Sequence, residues 1–186
     1  EEFEATVCDS FQELAFREDV DAVLFLDRQW CGPLPIMAAC DAGKAVYCYS
    51  GLDLELDQAD LIKRRVEDAG IAFMAEFPRR QAAATIRLKE LIATRLGAPQ
   101  LVFCHLRRAA ESRDAALPWR NGNGATMQEF VELVDWCRYV VGKEPRWTTG
   151  LLHCRDGSPS EDYRMLSLDF SEGSQPGTGP VAQISC

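Results

Sequence analysis

The sequence is poor in the features that usually place a protein quickly. Its eight cysteines include no CxxC pair and its histidines number two, so spacing offers no zinc framework and no metal site is expected. No run approaches the ~20 apolar residues needed to cross a bilayer. The opening EEFEATVCDS lacks the basic and apolar regions of an export signal. Positive charge is in the minority: 20 Lys and Arg stand against 29 Asp and Glu, leaving a net charge of -9. That balance disfavours grip on a polyanion, so neither nucleic acid nor a membrane is expected as a partner. Internal repeats are missing too, and only Ser171 to Gly179 is low in complexity, which reads as a surface hairpin loop.

What is present is ordinary globular material. Hydrophobic residues make up 47% and charged residues 26% of 186, enough for one generous domain or two small ones. The cysteines are scattered and several lie inside apolar runs such as Val46-Tyr47-Cys48 and Phe103-Cys104. Buried, reduced thiols in a cytoplasmic protein are the reading that fits.

Two periodicities alternate up to Phe77. Phe11 to Phe16 reads as a short helix, Val20 to Leu26 as a buried strand, and Pro33 to Ala42 as a small-residue helix stopped by Gly43. Ala45 to Tyr49 is a second strand, and Asp57 to Asp60 an N-cap region opening a helix that carries Leu61, Ile62 and Val66 inward as far as Gly70. Ile71 to Phe77 is the third strand. Such alternation over short connections predicts a parallel, doubly wound sheet, with ligands beyond the carboxyl ends of its strands at Asp27 to Cys31, Tyr49 to Gly51 and Pro78 to Arg80.

After Pro78 the pattern changes. A helix is expected over about Ala82 to Leu96, with Ile86, Leu88, Leu91 and Ile92. Strand-like runs follow at Gln100 to Leu106, Arg146 to His153, Tyr163 to Phe170 and Val181 to Cys186. Between the first two lie a loop, 109–124, and a helix from about Ala125 to Val141 with Met127, Phe130, Val131, Val134 and Cys137 at helical spacing. The expectation is an α/β chain: residues 1–78 from a Rossmann-like domain, then 79–186 as an α+β domain with an open-faced mixed or antiparallel sheet.

The wording of these segments carries more. Asp19-Val-Asp-Ala-Val23, Ala38-Ala-Cys-Asp-Ala-Gly-Lys44-Ala-Val46, Leu61 to Gly70, Ile86-Arg-Leu-Lys-Glu-Leu-Ile92 and Leu133-Val-Asp-Trp-Cys-Arg-Tyr-Val-Val-Gly142 occur in order across most of the chain. Together they resemble the glucose-fructose oxidoreductase, inositol dehydrogenase and MocA family. The resemblance implies an NAD(P)-dependent oxidoreductase acting on the CH-OH group of a sugar, polyol or cyclitol, assembled as a homo-oligomer through its C-terminal sheet. It also implies that Glu1 falls well inside the Rossmann domain and that Cys186 stops short of the C-terminus, since no GxGxxG occurs in the 186 residues. A sheet lacking its first strands leaves an apolar edge, so the isolated piece is expected to be poorly soluble.

By that alignment Asp27, Gln29, Tyr49 and Ser50 are the cofactor-binding positions, Ser50 standing where the family has a lysine. Arg80, Gln128 and Asp135 are the substrate-binding positions. Gln128 and Glu132 replace the family's Asp and acid/base His, one helical turn apart. Ser50 and Gln128 cannot act unaided as bases. Glu132 could, if burial raised its pKa, and is the candidate catalytic residue; a solvated or salt-bridged helix carboxylate is the alternative. Arg79 and Arg80 could clamp an anionic substrate or simply be salt-bridge partners. His105 and His153, without partners at metal spacing, read as structural or surface residues, and Trp119, Trp136 and Trp147 as packing residues. Loss of the family's Lys, Asp and His leaves a second reading open: a catalytically inactive nucleotide- or sugar-binding regulatory relative.

Overall fold

The computed structural model describes residues 5–26, 32–49, 56–107, 122–154 and 161–186; within them the side chains at 122–128, 154 and 161–162 are outside the described set. The chain divides into two compact units, Glu1–Glu76 and Phe77–Cys186.

In the first unit helix α1 (Phe11–Phe16) is started by Ser10, whose hydroxyl accepts from the Glu13 amide at 3.0 Å, while the Glu13 carboxylate accepts from the Asp9 amide at 3.0 Å. Strands β1 (Ala22–Phe25), β2 (Ala45–Cys48) and β3 (Phe73–Ala75) pair in parallel in the order β1-β2-β3. Alternation turns Val23, Phe25, Val46 and Cys48 to one face, where α2 (Leu34–Asp41) buries Ile36, Ala39 and Cys40 and α3 (Leu56–Ala69) buries Ile62. After α2 the chain enters the left-handed region at Gly43, φ 66°; the Gly43 amide returns to the Cys40 carbonyl and the Lys44 amide to that of Ala39. That turn delivers the chain directly into β2. The opposite sheet face carries the cross-strand row Leu24, Tyr47 and Met74, with Leu24 and Met74 more than half exposed.

In the second unit a short helix α4 (Pro78–Gln81) precedes α5 (Ala83–Leu91), which runs on through a π-helical segment, Ile92–Leu96, to Gly97. Strands β4 (Leu101–His105), β5 (Trp147–Cys154), β6 (Glu161–Asp169) and β7 (Val181–Ser185) form one sheet in the order β4-β7-β6-β5. The β4·β7 pair is parallel and the others antiparallel, so the sheet is mixed. Helix α6 (Gly122–Val141) covers one face, packing Leu133 and Cys137 on Cys104, Leu168, Ala182 and Ile184. The other face presents Leu101, Phe103 and Leu151, each more than half exposed, beside the half-exposed Trp147.

Several expectations shift. The strands are shorter at their ends than their apolar runs, because pairing stops where the neighbouring strand stops. Asp57 lies in the first turn of α3 rather than capping it. Leu61 points outward at 49% exposure, since Ile62 with the partly buried Val66, four residues on, makes the inward stripe and Leu61 is about 100° away. Ile86 and Val131 are turned outward in the same way. The helix expected from about Ala82 starts at Ala83 and runs to Leu96, and a separate short helix, Pro78–Gln81, precedes it, divided from it by the extended backbone of Ala82, φ -60° and ψ 133°. Helix α6 starts at Gly122, inside the segment read as loop.

Candidate active site

Helix α6 builds the candidate site. Its inward positions Leu133 and Cys137 pack on the sheet, and Glu132 and Asp135, three residues apart, lie along an adjoining face. The two arginines of α4 meet that face. Arg80 Nε donates to Asp135 Oδ2 at 2.7 Å and its Nη2 to Oδ1, a two-pronged pair on a carboxylate that is almost fully buried. The rings of Phe77 and Tyr139 each lie 5.3 Å from the Arg80 guanidinium, an arrangement that attracts a cation. The Asp135 hydrogen bonds raise the Arg80 pKa above its ordinary value.

Arg79 takes the next place along the helix. Its Nε stands 3.3 Å from Glu132 Oε2, and that buried nitrogen completes no hydrogen bond. The Glu132 side chain is 14% exposed, mostly sheltered but within reach of solvent. Below Asp135, Arg138 approaches Oδ1 at 3.8 Å and forks onto Glu144 at 2.6 and 2.7 Å, which holds the Glu144 carboxyl below the usual range. Chemically, this face offers one sheltered carboxylate able to accept a proton, a guanidinium with unused donor capacity, and a neighbouring ion pair that locks α4 to α6.

A probable dehydrogenase from Thermotoga maritima superposes with a TM-score of 0.76 at 21% identity, over 96% of this chain and 53% of that one. An NAD-binding protein from Listeria innocua gives 0.69 at 20% identity, over 97% and 51%. A Sinorhizobium meliloti protein assigned as a myo-inositol dehydrogenase gives 0.73 at 21% identity, over 95% and 53%. The fold is the one these proteins share. It is the α/β fold that the family resemblance implies. Among curated sequences, 2,7-anhydro-N-acetylneuraminate hydratase of Mediterraneibacter gnavus is 24% identical over 181 residues, 92% of this chain. The chain spans about half the length of these relatives, 48% of the hydratase. No protein-family model matches the chain.

The structure brings Arg80, Glu132 and Asp135 together within the second unit, and Gln128 lies on the same helix, with its side chain outside the described set. Of the cofactor positions, Tyr49 follows the last residue of β2 and is 54% exposed; Asp27, Gln29 and Ser50 fall outside the described residues. The glycine-rich turn that would hold a dinucleotide's phosphates does not occur in the 186 residues, so Tyr49, beside the end of β2, could serve only the nicotinamide end. His105 Nδ1 lies 2.6 Å from Ser185 Oγ and stacks on Phe103, a local structural role. Among the described residues no group of three or more His, Cys, Asp or Glu could hold a metal ion, and no helix is long and apolar enough to cross a membrane.

Sequence reasoning missed three sets of contacts around α6. Phe77 reads only as the end of the third strand and Tyr139 only as part of a helical motif, and neither suggests a ring beside Arg80. Trp136 donates to the buried Thr85 hydroxyl at 2.9 Å, tying α5 to α6, and Thr85 gave no signal beyond a polar residue in an apolar stripe. Cys104 and Cys137 stand 3.6 Å apart, sulfur to sulfur; each reads as buried from its own periodicity, but their meeting does not.

Proposed function

We propose that this chain is part of an NAD(P)-dependent oxidoreductase acting on a CH-OH group of a sugar-, polyol- or cyclitol-like substrate. Glu132, sheltered and set beside Arg79 on a helix anchored by the Arg80–Asp135 pair, is the observation that carries the reading. Residues 1–78 contribute the later strands of a cofactor-binding domain, with Asp27, Gln29, Tyr49 and Ser50 toward the nicotinamide end, and 79–186 contribute the substrate domain. Bound NAD(P) would supply or accept hydride; the phosphates need residues beyond these 186. Glu132 would take the hydroxyl proton, a role that asks for a pKa near working pH. Gln128, one turn earlier, would contact a neighbouring hydroxyl, and Arg80 with Asp135 would form the wall of the substrate site. Arg79, with donor capacity to spare, suits a hydroxylated or carboxylated substrate, and the hydratase relative is named for an acidic sugar derivative. The proposed setting is the cytoplasm, and the apolar outer face of the second sheet is the proposed contact between copies.

The replacement of the family's Lys, Asp and His by Ser50, Gln128 and Glu132 favours a second reading, a relative that binds the same ligands without turnover. The protein with its phosphate-binding turn in place, titrated with NAD and NADP and then assayed on a panel of polyols and sugar acids, separates the two. Cofactor binding with turnover supports the enzyme. Binding without turnover, indifferent to Glu132→Gln, supports the binding protein, and no cofactor binding sinks both.

A further inference from the structure

Two thiols meet in the core of the second unit. Cys104, on β4, is 7% exposed and Cys137, on the inward face of α6, is fully buried, and their sulfurs are 3.6 Å apart in hydrogen-bonding contact. A disulfide needs its sulfurs at about 2.05 Å, so closing the gap takes a shift of about 1.5 Å. Neither thiol belongs to the chemistry assigned to Glu132. Neither Cys104 nor Cys137 is in a disulfide.

The two sulfurs are unequal. The Cys137 hydrogen bond, helped by the Arg79 guanidinium, pulls the Cys104 thiol below its ordinary pKa against the opposing effect of burial. Cys137 is pushed upward by the same hydrogen bond and by burial. A thiolate is the nucleophile in sulfur oxidation, so Cys104, slightly exposed and beside a cation, is the sulfur that reacts first.

We propose that Cys104 and Cys137 form a built-in oxidation site, a dithiol that closes to a disulfide when the folded protein meets a small peroxide oxidant. Cys104 sulfur attacks one peroxide oxygen; the O–O bond breaks, water leaves, and Cys104 becomes a sulfenic acid. Cys137 sulfur then attacks the Cys104 sulfur, the S–O bond breaks, a second water leaves and the S–S bond forms. Two thiols and one hydrogen peroxide become one disulfide and two waters, the sulfurs losing the two electrons that the peroxide gains. The link pins α6, which carries Glu132 and Asp135, to β4.

The test is to treat the natively folded protein that contains these residues with hydrogen peroxide, block remaining thiols, and measure intact mass and the peptide map. Loss of the mass of two hydrogens, with a Cys104–Cys137 cross-linked peptide that disappears on reduction, is expected. The cross-linked protein should melt on the order of 5–15 °C higher than the reduced protein, from the closed loop between the two residues. Cys137→Ala, checked for a native melt, should instead accumulate sulfenic acid at Cys104, read with a dimedone probe. Thiols that stay unchanged, oxygen added without a cross-link, or a link made through Cys186 or another cysteine would each overturn the proposal. Should Cys137→Ala not fold, the wild-type peptide map alone decides.

Discussion

Arg80 and Asp135, 55 residues apart in the chain, form a two-pronged ion pair whose carboxylate is almost wholly removed from solvent while the guanidinium stays about one-third exposed. The pair joins the first helix of the second unit to its longest helix, and aromatic rings stack on the cation. Removing either partner strands a charge that the fold has already desolvated. Asp135→Asn or Arg80→Met should therefore lower stability by about 2–4 kcal/mol, somewhat below a fully buried pair because Arg80 keeps part of its hydration. The double replacement Arg80→Met/Asp135→Leu should recover much of that loss. Urea denaturation of the three variants, compared as a cycle, measures it; additive single effects would show that the two residues do not act together.

Glu132 has a kinetic signature if it is the base. In the protein with its phosphate-binding turn, Glu132→Gln should lower kcat about 10²- to 10⁴-fold with little change in KM or melting temperature. Arg79→Gln should raise KM more than it lowers kcat, because its proposed contact is with substrate rather than with the transferred proton. Steady-state kinetics on the best substrate of the panel distinguish the two patterns.

The β6–β7 hairpin makes stability depend on pH through Asp169. Hydrogen bonds from the Ser171 hydroxyl, the Ser171 amide at 2.8 Å and the Gly177 amide at 2.6 Å hold its carboxyl below the ordinary aspartate value. A depressed pKa in the folded state gives stability that is complete above the unfolded value, about 3.9, and is lost as pH falls through the folded value. Asp169→Asn should be less stable than wild type at neutral pH, and the difference should shrink below about pH 4. Urea midpoints across pH 2.5–7 read the convergence; parallel curves would remove Asp169 from the account.

Gly179, in the same hairpin, is required for want of space. A methyl group added there would lie 2.7 Å from the Ser171 Cα and 2.9 Å from its amide nitrogen, and Ser171 is fully buried. Backbone cannot move aside as a flexible side chain would, so Gly179→Ala should cost about 1–3 kcal/mol, against a few tenths for an open glycine. Thermal melts of Gly179→Ala beside Gly173→Ala provide the comparison.

The outer face of the second sheet supplies a test of assembly. Phe103 and Leu151, each more than half exposed, lie on opposite outer strands of that face. If copies meet there, Phe103→Glu with Leu151→Glu should reduce the mass seen by light scattering to that of one chain without lowering the melting temperature of the monomer. An unchanged mass would move the contact elsewhere.

How much of this was legible depended on distance along the chain. Helix α1 could be read to the residue because Phe11 to Phe16 lies between Ser10 and an extended Arg17. Strand and helix alternation up to Phe77 could be read because each signal is confined to a few neighbouring residues. Leu61 against Ile62 could not, since adjacent apolar residues on a helix compete for one inward stripe and tertiary packing chooses. Arg80 was legible as a charge near a strand end, for which a salt bridge is the commoner role and an anion clamp the alternative, but its partner lies on another helix and could not be named. The structure supplies the salt bridge. Glu132 stood out by its place in a family motif, while Arg79 beside it depends on how α4 meets α6.

The position of β7 has a consequence for the order of events in folding. It lies between β4 and β6, running parallel to a strand 80 residues earlier, so among the described strands the sheet's middle is the latest in chain order. Until Val181 to Ser185 leaves the ribosome, β4 has no neighbour in this sheet, and α6 has only part of the surface it covers. Contacts so remote in sequence close slowly. The described sheet of the second unit is thus completed only once β7 is available to bridge β4 and β6, so the core around Cys104 and Cys137 closes late in folding.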